Sequence, residues 1–454
     1  MFLRESWRRL ARDTALMTGS SLLLRFLSMA FQVWLVGRIG QSGIGLFQLI
    51  GSVNMLIVTF AVSGIRFAST RLIAEELGAG FRDGALRARR RCLGYALFFG
   101  TSAMAVMLLC AEPVGFLWIG DARCVRSLKI SAVRLPFIAV SSVLNGYFIA
   151  AGKAARSAVI QTAEQLISIA LIAALLVRVP VGNIELACAA VSLGGTAADV
   201  ISMLLCCASC IADGRGRTVC SGCGERITAR MFSIAIPLAL SAYARTSLTT
   251  LQNLLVPRML RRSGMTADRA LAGYGCISGM VFPVISFPSC ILCAAAELIV
   301  PELTAAQVIG RKDYIESTVS ALLRACLAFS GAAAIFLLLT GDALGYLIYG
   351  DASAGRFIRI FALIAPVMYT DIIVDGCLKG LGQMMQSMTY NIAEAVLGVA
   401  LTAVLLPRWG LEGYLAMIFA CEIFNFSFSL GRLRRVTGLR LFSRRGMAKG
   451  RPAA

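Results

Sequence analysis

The sequence predicts an all-α polytopic membrane protein with about twelve transmembrane helices arranged as two six-helix lobes. Three observations carry that expectation. Of 454 residues, 58% are hydrophobic and 15% charged, with a mean hydropathy of +0.78; a soluble domain is roughly 45–50% apolar and about 25% charged. Apolar runs long enough to cross a bilayer, about 20 residues each, recur along nearly the whole chain. The two halves of the chain also repeat one another. A soluble fold of this size could not cover so much apolar surface, so a cytosolic enzyme, a disulfide scaffold and a disordered chain are excluded.

The runs fall at about 14–36, 44–70, 92–111, 125–151, 157–178 and 184–211, then at about 229–257, 271–300, 321–341, 355–381, 387–407 and 411–431. The first is too long for the core of a signal peptide, and no small-residue cleavage site follows it. Residues 212–228 are Gly-rich and charged, as an inter-lobe cytoplasmic linker would be. This divides the chain into a first lobe (1–211), the linker, a second lobe (229–431) and a basic cytoplasmic tail (432–454). The excess of 44 Lys and Arg over 24 Asp and Glu concentrates in Arg87, Arg89, Arg90 and Arg91 of one loop and in the tail. With basic loops retained on the inner side, both termini are expected in the cytoplasm and no nucleic-acid partner is implied. Arg258, Arg261, Arg262 and Arg269 depart from the pattern by falling outside.

The repeat is specific. Residues 136–178 match 366–408 at 12 of 43 positions without a gap, including Pro136/Pro366, Gly146/Gly376, Ser157/Ser387, Glu164/Glu394 and Arg178/Arg408. Residues 15–38 match 235–258 at seven of 24, including Arg25/Arg245 and Gln32/Gln252. Polar matches inside apolar runs are the informative ones, because polar groups are costly in hydrocarbon. Six spans per half give both repeats one orientation, related by an axis along the membrane normal, with a cavity expected between them.

Two runs resemble a known family. Gly37-Arg-Ile-Gly-Gln-Ser-Gly-Ile-Gly-Leu-Phe-Gln48 is similar to the first-loop signature of oligosaccharide flippases. Leu135-Pro-Phe-Ile-Ala-Val-Ser-Ser-Val-Leu-Asn-Gly-Tyr-Phe-Ile-Ala-Ala-Gly-Lys153 resembles the fourth span of the stage V sporulation protein B branch of the multidrug/oligosaccharidyl-lipid/polysaccharide exporter superfamily. The resemblance implies a MATE-like, V-shaped bundle in the plasma membrane. It also implies movement of a polyprenyl-diphosphate-linked saccharide, a peptidoglycan or polysaccharide precursor, by a monomer surrounded by membrane lipids.

Candidate site residues follow from polarity inside the spans. Arg25 and Arg245 occupy matched positions near mid-membrane. An Arg there costs about 2.5–3.5 kcal/mol on insertion scales unless offset, and a diphosphate suits its planar fork. An internal ion pair would serve as well. Arg134 and Arg66 are further substrate-binding candidates, although Arg66 lies where snorkelling is easy. Glu164 and Glu394 could couple transport to H⁺ or Na⁺ or fix helix packing, and duplicated scaffolding explains the match as readily. Asp371 and Asp375 share one helix face, with Lys379 one turn on. Asp199 and Glu422 read as single buried acids with structural partners.

No cofactor is expected. The absence of histidine removes His ligands and His proton shuttles. Cys207-x-x-Cys210 and Cys220-x-x-Cys223 imitate a zinc motif at too short a spacing, and the first pair continues an apolar face. Pro136, Pro366, Pro237, Pro283 and Pro288 fall within spans, where they mark bends. A cation-coupled multidrug exporter on the same fold is the competing function, but its cavity should be lined with acids and aromatics. A membrane glycosyltransferase lacks the extramembrane domain and acidic motif it would need.

Overall fold

The computed structural model describes residues 2–78, 82–180, 182–214 and 227–438, and no strand occurs among them. Fourteen helices run in order: α1 (Phe2–Val62), α2 (Ile65–Gly78), α3 (Arg82–Pro113), α4 (Val125–Val133), α5 (Leu135–Ala150), α6 (Ala154–Val177), α7 (Ile184–Gly214), α8 (Ile227–Arg262), α9 (Ala267–Gly275), α10 (Phe282–Val308), α11 (Lys312–Tyr349), α12 (Ala352–Ala362), α13 (Ala365–Gly380) and α14 (Met384–Thr437). Eight described stretches are long and apolar enough to cross a membrane, and ten if each of two bent pairs counts as one.

Two of these stretches, Phe26–Leu77 and Met384–Thr437, are 52 and 54 residues long. At 1.5 Å per residue each would measure about 80 Å, far more than a hydrocarbon core of about 30 Å. Each is divided by a glycine outside the helical region, Gly40 (φ 71°) and Gly410 (φ 57°). A side chain at either position would meet the steric penalty of positive φ. Counting both sides of the two glycines turns the ten stretches into twelve crossings, divided where the sequence places its first and last short loops.

The bent pairs have a common cause. α4 and α5 meet at 42° around Arg134, and α12 and α13 meet at 56°. Pro136 and Pro366 stand in the first turn of the second member of each pair. Proline has no N–H to give the carbonyl four residues back, and its ring crowds that carbonyl, so the helix breaks there. A second repeated device precedes each pair. Gly120 and Gly350 close the preceding helical segments in the left-handed conformation, and Asp121 and Asp351 then cap the next by accepting from the backbone N–H two residues on.

By contacts the chain separates into two compact units, Met1–Pro257 with Ala267–Gly275, and Arg258–Thr266 with Cys276–Ala454. The boundary between these contact units falls at Pro257, after most of α8; of the 212–228 segment, residues 215–226 lie outside the described residues. The reason is that α8 is bonded to the first unit. Tyr243 donates to the Ser63 hydroxyl at 2.6 Å, Asn253 to that of Ser52 at 3.0 Å, and Arg230 pairs with Glu75. Within the first unit, Ile65, Leu72, Ala88, Tyr95, Ala139 and Val143 form one buried cluster. Leu109, Leu339 and Leu347 are about four-fifths exposed, as expected where lipid rather than water is the solvent.

In the second unit α11 and α12 approach each other backbone to backbone. A Cβ at Gly345 of α11 would lie 2.3 Å from the Gly355 backbone nitrogen in α12, while one at Gly331 of the same helix would meet nothing within 4 Å. Gly345→Ala should therefore destabilise the protein by about 1–3 kcal/mol through overpacking. Gly331→Ala should be neutral or stabilising by up to about 1 kcal/mol through helix propensity. Thermal melting of the two variants in one detergent checks the contrast, and equal melting points would refute it.

Candidate functional site

The break at Arg134 opens a polar pocket inside the first unit. A cavity of about 480 Å³ is bounded by α1, the α4–α5 break, α6 and α7. Its apolar wall includes Phe31, Phe47, Met55 and Ile138; its polar wall includes Asn54, Ser131, Arg134, Glu164, Gln165 and Asp199. Arg134 is aimed at α7, where its Nε lies 2.6 Å from Oδ2 of Asp199. The two atoms are not in hydrogen-bond alignment, so the contact is coulombic and neither atom has a directed partner. Asp199 is 7% exposed, and an unpaired charge at that depth would be costly. One turn further along α7, the Ser202 hydroxyl donates to Glu164 at 2.5 Å. Asn54 donates to the Ser131 hydroxyl at 3.2 Å, and Gln165 to that of Ser28 at 3.3 Å. The lining thus carries two carboxylates and one guanidinium.

The second unit repeats the scaffold with different charges. Ser157 donates to Asn145 in the first unit, and the matched Ser387 donates to Asp375 in the second. Glu394, the counterpart of Glu164, accepts from Asn425 of α14 at 2.7 Å. Asp375 also pairs with Lys379 at 2.5 Å. The counterpart of Arg134 is the buried Ile364, and the counterpart of Ser141 is Asp371, whose Oδ1 is buried without a hydrogen-bond partner. The carboxylates of Asp371, Glu394 and Glu422 lie close enough to interact electrostatically. Among the described residues, no group of three acids or cysteines has the geometry to hold a metal ion.

The remaining sequence candidates lie elsewhere. Arg66 on α2 and Arg245 on α8 are exposed, neither lines the cavity, and neither is paired with a carboxylate among the described residues. Of Arg25 only the backbone, within α1, is described. Cys206 and Cys210 are buried beside Leu144, Phe148 and Ile160, whereas Cys220 and Cys223 lie outside the described residues. At the turn after α3, burial opposes ionisation of Asp121, but hydrogen bonds from Arg123 outweigh it and hold the carboxyl below its usual range. Its stabilising contribution is therefore present at neutral pH and fades as pH falls through that lowered value.

The sequence singles out Arg134 and Glu164, which the structure brings to one cavity. It does not pair Arg134 with Asp199, because the phase of one helix against another is not encoded in a single span. Asn54 and Gln165 carry no distinguishing signal in the sequence.

Comparison with known proteins agrees with this architecture. The family model described as polysaccharide biosynthesis protein matches residues 10–286. Stage V sporulation protein B of Bacillus subtilis is 23% identical over 403 residues, covering 87% of this chain and 78% of the relative. Sporulation protein YkvU of the same organism is 19% identical, covering 87% and 88%. Among solved structures, the inward-facing conformation of a multidrug resistance MATE family transporter of the MOP superfamily superposes with a TM-score of 0.71 at 13% identity, covering 94% of this chain and 99% of that one. A MOP superfamily transporter from Pyrococcus furiosus, with a binding pocket of reverse polarity, gives 0.63 at 14% identity over 94% and 95%. This multi-pass, MATE-fold membrane chain therefore belongs to the polysaccharide biosynthesis protein family.

Proposed function

We propose that this transporter, which is not an enzyme, flips a polyprenyl-diphosphate-linked saccharide across the plasma membrane by alternating access. The observation that carries the reading is the family match over residues 10–286, joined to the arginines repeated at Arg25 and Arg245. A diphosphate cannot enter hydrocarbon without replacement of its water, and guanidinium forks provide charge-assisted hydrogen bonds in matching geometry. Arg25, Arg245, Arg66 and Arg134 are assigned to the headgroup. Arg134 contributes the N–H groups that its contact with Asp199 does not use. The repeats 1–211 and 229–431 are the moving parts, the chain acts as a monomer, and both termini face the cytoplasm.

Coupling to H⁺ or Na⁺ is assigned to the acids of the second unit, Asp371, Asp375 and Glu394. The Ile364 position supports this assignment for Asp371, whose Oδ1 has no hydrogen-bond partner and which has no arginine at the position matching Arg134, while Asp375 shares Lys379. Glu164 is assigned a packing role through Ser202.

The test is reconstitution into vesicles with a fluorescent, polyprenyl-diphosphate-linked disaccharide. The expected result is faster appearance of the label on the far leaflet than in protein-free vesicles, with an added dependence on an H⁺ or Na⁺ gradient. Export of a cationic dye by the same vesicles, with no movement of the saccharide, would transfer the assignment to a cation-coupled drug exporter.

A further inference from the structure

The second unit contains another cavity, remote from the polar groups above. It measures about 400 Å³ and is lined by residues from three chain segments, with Gln307, Gly310, Lys312, Leu381, Arg435 and Thr437 among them. These residues stand where α10 finishes, α11 begins, α13 finishes and α14 finishes. The pocket therefore lies at one end of the bundle, at the level where crossing helices meet water. Close to it in sequence, the Arg432 guanidinium donates twice to the Gln383 side-chain oxygen, at 2.7 and 3.0 Å, tying the last turns of α14 to the α13–α14 turn.

Three features define what fits there. The lining includes two cations, Lys312 and Arg435, and no carboxylate. Among the described residues neither cation is held by an acid, and both are exposed. The pocket is also flanked by apolar side chains that face outward: Val308 and Ile309 beside Gln307 are 84% and 68% exposed, and Met385 beyond Leu381 is 72% exposed. The ionisable side chains of residues 439–454, which lie outside the described residues, are Arg440, Arg444, Arg445, Lys449 and Arg451.

We propose that this pocket binds the phosphodiester of an anionic membrane lipid. Lys312 and Arg435 hold the phosphate, and the acyl chains lie along Val308, Ile309 and Met385. Basic pockets at the water-facing ends of transmembrane helices attract such headgroups, and the field of an anionic leaflet concentrates them there. The apolar flank distinguishes a lipid from free phosphate, because an inorganic ion gains nothing from it. The proposal depends on the membrane reading of the chain and not on the saccharide assignment.

The test uses the full chain purified in detergent, with phosphatidylglycerol, phosphatidylcholine and inorganic phosphate as probes, read by native mass spectrometry and thermal melting. Phosphatidylglycerol should be retained and should raise the melting point, and phosphatidylcholine should do neither. Lys312→Gln/Arg435→Gln should weaken phosphatidylglycerol retention by about tenfold or more through loss of two charge-assisted contacts. Arg356→Gln/Arg408→Gln removes the same charge at the other end of the unit and should leave retention unchanged. The single variants Lys312→Gln and Arg435→Gln, each with a partial loss, carry the test if the double variant does not fold. Equal retention by the pocket variant and the parent overturns the proposal, as does an equal loss in both double variants. Stabilisation by inorganic phosphate matching that of phosphatidylglycerol would overturn the lipid as the source.

Discussion

Arg134→Met should destabilise the protein by about 3–5 kcal/mol, because it strands Asp199 in a site where that carboxylate is 7% exposed. The pair lies 2.6 Å apart, and removing one member leaves the desolvation of the other uncompensated. Removing both charges should behave differently. Arg134→Met/Asp199→Leu replaces the ion pair with apolar side chains and eliminates the buried charge, and such replacements are often neutral or stabilising. The double variant should therefore recover most of the stability lost by the single one, as judged by melting in detergent and by abundance in the membrane. It also separates structure from transport. If Arg134 touches the cargo headgroup, the recovered double variant still flips slowly; wild-type flipping would confine Arg134 to packing. A single variant as stable as the parent would remove the basis for both statements.

Arg25→Ala and Arg245→Ala should each slow flipping by about 10- to 150-fold while the protein still inserts, the consequence of losing a charge-assisted contact worth about 1.5–3 kcal/mol. Arg245 is exposed on α8, so its truncation leaves no buried carboxylate behind and stability should change little. Lysine at either position should give an intermediate rate, since it keeps the charge but loses the planar fork. Matched positions at an offset of 220 residues imply similar effects from the two substitutions. Normal flipping by Arg25→Ala/Arg245→Ala at wild-type abundance would reduce both residues to scaffolding.

The helices themselves were legible because hydrocarbon imposes a length and a polarity that any sequence must display. The short loop at 37–43 was readable from its glycines, and the chain does leave the helical region at Gly40. Pro136 and Pro366 were readable as bends for the same local reason. Groups that depend on helix rotation were not legible. Asp199 and Glu422 look alike in the sequence, yet one faces an arginine and the other faces acids. The packing of α8 on the first unit was also beyond reach, because Tyr243 and Asn253 find Ser63 and Ser52 across nearly two hundred residues. The Gly120-Asp121-Ala122 and Gly350-Asp351-Ala352 turns sit at the same offset of 230 as the main repeat, but three residues are too few to stand out without their geometry.

The position of Arg134 has a mechanical consequence. It is both the charged group of the cavity and the residue on which the 42° bend between α4 and α5 turns, so electrostatics and leverage share one pivot. The 16 residues of α5 form an arm about 24 Å long, and a change of about 10° at the pivot displaces its far end by about 4 Å. Asn145 lies on that arm and holds Ser157 at the start of α6, so the displacement is handed to the next helix. The second unit has the same bend with Ile364 in place of the charge. The bend there therefore carries no ion pair at its pivot.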